Sequence, residues 1–244
     1  MTTKLLILGD SISLGVAEVR GNDIVARVEH CYVDLLMHAL PKVQIIIDAD
    51  VHRTTSGVRE MVDGLLAAHS PQVVLVMLGG NDADLDWRRF VLSDGQIVRS
   101  RVSVETYEKN LRQIVSKILA AGATPVLTDM PNHHFELRGP YVSKIAERDI
   151  MAMLDRNGGQ AASDKELCKY RQAAGQVTAD LDVPLARYGE ILDAQSPREM
   201  VGVDGVHPSA AAHLLIAEAL TPVLTRACRT PALAKIAPVT GLSL

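Results

Sequence analysis

Leu5-Leu6-Ile7-Leu8-Gly9-Asp10-Ser11 is the stretch on which the fold turns. Four apolar residues run without alternation and are stopped by a glycine and an aspartate. A strand wetted on one face would alternate; an unbroken run suits a strand covered on both faces, as in a parallel sheet between helical layers. Val43–Ala49, Val73–Leu78, Thr124–Thr128 and Val183–Ala186 read the same way. Helices are expected between them at about 27–40, 57–69, 104–121, 164–181 and 209–227. In the third of these, Tyr107, Leu111, Ile114, Val115, Ile118 and Leu119 recur at three and four residues, Gly122 stops the helix, and Pro125 follows. The alternation predicts βαβ units around a five-stranded parallel sheet.

Two stretches interrupt that alternation. Residues 83–103 carry Asp84, Asp86, Trp87, Arg88 and Arg89 before the turn signal Ser93-Asp94-Gly95. Residues 130–163 carry Met130-Pro131-Asn132-His133-His134, Arg138-Gly139-Pro140 and Asn157-Gly158-Gly159. Both begin beyond the carboxyl ends of expected strands, the edge where open α/β sheets bind ligands, so both are candidate pocket walls. The expected organisation is one domain over 1–228 with these two insertions, and a tail at 229–244 containing Pro231, Pro238 and Gly241.

At 244 residues the chain suits a single α/β domain able to bury its own core. Hydrophobic residues make up 48% and charged residues 22%, the range of ordinary globular proteins, and a net charge of −4 gives no reason to expect nucleic acid as a partner. No run approaches the length of a membrane span. Cys31, Cys168 and Cys228 are odd in number and lack metal-ligand spacing, so they read as reduced thiols in a cytoplasmic protein. Neither cofactor nor metal is expected, and oligomeric state is not legible.

Three short motifs, remote in sequence, carry the chemistry. Ser11 lies where the first strand ends, and a serine there either offers its hydroxyl at the sheet edge as a nucleophile or caps the next helix. Asp204-Gly205-Val206-His207-Pro208 precedes the last helix. Its spacing lets the carboxylate reach one imidazole nitrogen while the other faces out, although Asp-Gly and Pro208 also make an ordinary turn into a helix. Asn81, reached through Gly79-Gly80, supplies an amide donor suited to an oxyanion, or a plain Asn-Asp turn. Asp10 and Asp82 read as local loop fixers. Jointly the motifs supply a nucleophile, a base with its orienter, and oxyanion donors.

Gly9-Asp10-Ser11, Gly80-Asn81-Asp82 and Asp204-x-x-His207 resemble three of the four sequence blocks of the SGNH (GDSL) hydrolase superfamily. The flanks are similar to its bacterial thioesterase, arylesterase and lysophospholipase branch. The resemblance implies a flavodoxin-like three-layer α/β/α sandwich with strand order 2-1-3-4-5, Ser11 as nucleophile, His207 as base and Asp204 as its orienter. Asn81 and the Ser11 N–H would line the oxyanion hole, with Gly80 close to the substrate. The remaining block departs from the family, which usually places a glycine after the second strand as a further N–H donor. Matching the flanks puts Arg53 there, as oxyanion donor or as a substrate contact through its guanidinium; the alternative equivalent is Gly57.

His133 and His134 lack a carboxylate or cysteine cluster and read as loop residues, and Arg88, Arg89, Arg99 and Arg101 concentrate positive charge beside the expected pocket. GxxxxGK[ST], GxGxxG and GxSxG are all missing, which removes P-loop, dinucleotide and α/β-hydrolase readings. The reading is a serine hydrolase of a small carboxylic ester or thioester, working through an acyl-enzyme on Ser11. Acyl transfer to another acceptor uses the same residues. A catalytically inactive flavodoxin-like binding protein is the other alternative, favoured by the replaced glycine.

Overall fold

Leu5 and Ile7 turn to one face of the sheet and Leu6 and Leu8 to the other, and all four are fully buried. That is why the run does not alternate. The computed structural model describes residues 2–20, 23–202 and 204–229. In chain order the strands are β1 (Thr3–Gly9), β2 (Val16–Arg20), β3 (Asp23–Arg27), β4 (Val43–Ala49), β5 (Val73–Val76), β6 (Thr124–Thr128) and β7 (Leu185–Ala186). The helices are α1 (Tyr32–Ala39), α2 (Thr55–His69), α3 (Gly80–Ala83), α4 (Trp87–Leu92), α5 (Val104–Ala120), α6 (Phe135–Ala146), α7 (Ile150–Arg156), α8 (Gly159–Leu181), α9 (Tyr188–Asp193), α10 (Pro197–Met200) and α11 (Ala210–Arg229).

The main sheet is five-stranded and parallel throughout, in the order β4-β1-β5-β6-β7. The labels depart from 2-1-3-4-5 because the antiparallel hairpin β2–β3, which stands outside the sheet, takes two numbers. One face packs on α2, α5 and α8 through Val62, Ile114, Ile118 and Val177. The other packs on α1, α9 and α11 through Leu36, Leu192, Ile216 and Leu220. Burying side chains of this size contributes roughly 1.5–3 kcal/mol each, so the two layers fix the sheet rigidly beneath whatever sits at its edge.

The structure corrects several boundaries. The helix expected at 27–40 starts only at Tyr32, because 23–27 pairs with Val16–Arg20 in the hairpin. The Asp34 carboxylate then accepts the Cys31 N–H at 3.0 Å, satisfying a donor that would otherwise be orphaned at the helix start. The last strand shrinks to Leu185–Ala186, and the third ends at Val76, although the Met77 N–H still donates to the Leu8 carbonyl at 2.9 Å. The second insertion is largely helical, through α6, α7 and the start of α8, while the first holds α4 between turns and irregular chain. They share a small core of their own, in which Leu85 and Phe90 of the first pack against Ile150, Met153 and Leu154 of the second. The result is a cap over the carboxyl edge of the sheet. The tail expected from 229 lies, beyond Arg229, outside the described residues.

Candidate active site

Ser11 is held two residues beyond the end of β1 by a turn that folds back on itself. The Asp10 carboxylate accepts the Ile12 N–H at 2.9 Å, and the Asp10 carbonyl accepts the Ser13 N–H at 3.1 Å. Gly9 is required by close packing, since a Cβ there would lie 2.0 Å from Ser13 Oγ. Neither serine caps a helix: the chain passes into the hairpin, and Ser13 Oγ shares a 2.7 Å hydrogen bond with the Tyr32 hydroxyl.

His207 arrives from the loop before α11. Its Nε2 lies 2.9 Å from Ser11 Oγ, and its Nδ1 lies 2.5 Å from Asp204 Oδ2. The other carboxylate oxygen, Oδ1, accepts the N–H groups of Val206 and His207, each at 3.0 Å. Burial by itself would raise the pKa of Asp204, but the hydrogen bond and charge of His207 and the loop N–H donors hold its carboxyl below the ordinary value. An ionised carboxylate only accepts, so Nδ1 carries the proton and Nε2 is left to accept from the Ser11 hydroxyl. All three side chains are buried at the floor of a cleft.

Asn81, in α3 just past β5, donates from Nδ2 to Asp10 Oδ2 at 3.2 Å and accepts from Arg101 Nη1 at 3.2 Å. Its amide is thereby oriented, with the NH₂ group directed at the Asp10 carboxylate. Burial pushes the Asp10 carboxyl up to about 6, against the Ile12 N–H and the charge of His207, which lower it. Gly80 also lines the cleft.

The stretch after β4 differs from the sequence reading. Arg53 turns its guanidinium onto the carbonyl and carboxylate of Asp48, away from the cleft. Gly57 lies within the first turn of α2. The residue of this stretch that lines the cleft is His52, and its backbone is left-handed at φ 59°. Nothing in the sequence motif pointed to it, because a left-handed backbone becomes visible only in the structure.

The cleft encloses about 590 Å³, within the range of small-ligand sites. The cap roofs it with Trp87, Arg88, His133, His134, Arg138 and Tyr141. Of the arginines noted in the first insertion, Arg89 and Arg99 pair with Asp86 at 3.3 and 3.5 Å, whereas Arg88 and Arg101 line the cleft. His133 and His134 sit in the loop entering α6, and burial lowers the basicity of His133. Beyond Leu85, Arg101 and His133 lies a second cavity of about 840 Å³, with buried Phe90, Leu154 and Leu167 in its wall.

A parallel α/β sheet with a Ser-His-Asp array at its carboxyl edge defines a hydrolase-like class of protein. The chain belongs to the GDSL-like lipase/acylhydrolase family, whose model matches residues 7–215. Membership of that family implies hydrolase chemistry on esters. Among solved structures it is similar to a lipase/acylhydrolase from Enterococcus faecalis, with a TM-score of 0.66 and 19% identity over 94% of this chain and 98% of that one. It is likewise similar to TesA, with a TM-score of 0.63 and 21% identity over 92% and 99% of the two chains. A third is the psychrotrophic esterase EstA from Pseudoalteromonas sp., in a structure inhibited by monoethylphosphonate, with a TM-score of 0.61 and 19% identity over 92% and 97%. A search of curated proteins finds no match.

Proposed function

We propose that the protein hydrolyses a small carboxylic ester or thioester through an acyl-enzyme on Ser11. The observation that carries this is the unbroken chain from Ser11 Oγ to His207 Nε2 at 2.9 Å and from His207 Nδ1 to Asp204 at 2.5 Å. In the first step His207 Nε2 takes the hydroxyl proton as Oγ bonds to the acyl carbon. The Asp204 carboxylate stabilises the imidazolium so formed. The tetrahedral oxyanion is met by the Asn81 amide and the Ser11 N–H, with a third main-chain donor assigned to the His52–Arg53 turn. His207 then protonates the leaving alcohol or thiol, and water activated by the same nitrogen releases the acid.

We place the usual glycine at His52 rather than Arg53. Support comes from its left-handed backbone and its position on the cleft wall. A backbone N–H needs no glycine to donate, so the substitution does not favour an inactive protein. The three cysteines are free, Cys168 exposed among them, which suits a reducing compartment such as the cytoplasm.

The test is a screen of p-nitrophenyl esters from acetyl to decanoyl alongside acyl-CoA thioesters, with wild type and Ser11→Ala. The substitution should lower turnover on the best substrate by about 10⁴–10⁶. Retention of activity to within about tenfold would remove Ser11 from its role. Adding candidate alcohols and weighing the products separates hydrolysis from transfer, since a transferase forms new esters faster than free acid.

A further inference from the structure

Asp204 is gripped from outside its own loop. Arg138, on α6 of the cap, donates from Nη1 to the Asp204 carbonyl at 3.1 Å, and the same nitrogen lies 3.9 Å from Asp204 Oδ2. The guanidinium carbon stands 5.9 Å from the Trp87 ring centre and 5.4 Å from that of Tyr141. Trp87 comes from the first insertion and Tyr141 from the second, so both halves of the cap fix this one cation. Only 19% of its side-chain surface is exposed. The backbones touch as well. Gly205 has φ 72°, and a Cβ there would lie 2.4 Å from the Arg138 nitrogen and 2.5 Å from the Leu137 carbonyl carbon. The Asp204–Gly205 peptide is therefore seated directly on the helix, with no side chain between.

We infer that Arg138 is a positioning residue for the Asp204–His207 pair, and that the cap is in this way a working part of the active site as well as its roof. The inference rests on the proposed triad. Its physical basis is geometric. A cation near Oδ2 competes with the imidazolium for the same carboxylate oxygen, so attraction to the charge of Asp204 does not favour proton transfer from Ser11. The hydrogen bond to the main-chain carbonyl does something different: it stops the peptide from rocking, and the carboxylate is carried on that peptide. A carboxylate held in place keeps the imidazole aimed at Ser11. The group acts through Asp204 and touches no reacting atom.

The experiment compares wild type with Arg138→Met, which keeps much of the stem between the rings but has no donor, and Arg138→Lys, which keeps a donor and the charge. Circular dichroism and melting establish folding. On p-nitrophenyl acetate, Arg138→Met should lose about ten- to hundredfold in kcat with KM changed by less than about threefold, and Arg138→Lys should fall between. The rate of Ser11 labelling by a fluorophosphonate should drop in parallel. A low-field proton resonance of His207 Nδ1–H, identified by its loss in His207→Asn, should shift or broaden in Arg138→Met. Should Arg138→Met fail to fold, Arg138→Lys carries the test on the same readouts.

A variant with wild-type kcat and an unmoved resonance would reduce Arg138 to packing and overturn the inference. A rise in KM at constant kcat would make it a substrate contact instead, and overturn it equally. Wild type that neither hydrolyses nor labels would sink the triad reading alone, and the resonance would still report whether Arg138 holds the pair.

Discussion

Asp82 accepts both the main-chain N–H of Thr55, at 3.1 Å, and its hydroxyl, at 2.5 Å. This ties the start of α2 to the turn that carries Asn81. Asn110 of α5 completes the knot by donating from Nδ2 to Thr55 Oγ1 at 3.1 Å. The two segments proposed to donate to the oxyanion, the His52–Arg53 turn and α3, are thus joined behind the site by one buried carboxylate. Spacing between such donors has to be fixed before the substrate arrives, because reorganisation during the reaction would offset what they contribute.

That carboxylate makes a prediction about pH. Burial pushes Asp82 up from 3.8 to about 6, more strongly than its bonds to Thr55 pull it down. A carboxyl whose folded value lies above its unfolded one favours the folded state when protonated. Its contribution is complete below about pH 3.8 and is lost as pH rises through about 6, by up to about 3 kcal/mol. Asp82→Asn is neutral throughout. Urea unfolding at pH 4.5 and 7.5 (roughly on either side of the folded value) should therefore show the stability of wild type falling relative to Asp82→Asn. A gap that stays constant or widens in favour of wild type would contradict the assignment.

Asn81 and its partner Arg101 should separate by size of effect. Asn81→Ala removes the proposed oxyanion donor and should cost about 10²–10³ in kcat. Arg101→Met leaves the amide in place but frees it to rotate, since Arg101 Nη1 no longer holds Oδ1. Its cost should be about tenfold, as for loss of one hydrogen bond to a charged group. Equal losses in steady-state kinetics would show that Arg101 acts on the substrate rather than through Asn81.

Asp204→Asn should lower kcat by about 10⁴ with the fold intact, because an amide no longer stabilises Nδ1–H and the wrong tautomer faces Ser11. Turnover within about tenfold of wild type would mean that another group orients the imidazole.

The legible parts of this molecule were those written as local chemistry. Ser11, Asn81, Asp204 and His207 each sit at the end of an apolar run or the start of an amphipathic helix, so strand pattern and turn residues located them. The cap was legible only as an interruption. Its helices α4 and α7 are short, and short helices take their stability from tertiary packing rather than from a periodic face. Arg138-Gly139-Pro140, one of the stretches that interrupt the expected alternation, lies inside α6. The hairpin β2–β3 hides in a stretch with two register shifts, on either side of Glu18, which spoil simple alternation. The choice among Arg53, Gly57 and the proposed His52 was not legible, since the register of a short connector is set by backbone conformation rather than by residue type. What Arg138 does was out of reach altogether, because its partners lie at 87, 141 and 204.

The claim at the centre is that Ser11 Oγ is made nucleophilic by His207. Intact-mass and peptide analysis after reaction with a fluorophosphonate reports on it directly. The account predicts a single stoichiometric adduct on Ser11 in wild type, none in Ser11→Ala, and labelling slowed by several orders of magnitude in His207→Asn. An adduct on a different residue, or labelling of Ser11 at an undiminished rate without His207, would contradict it.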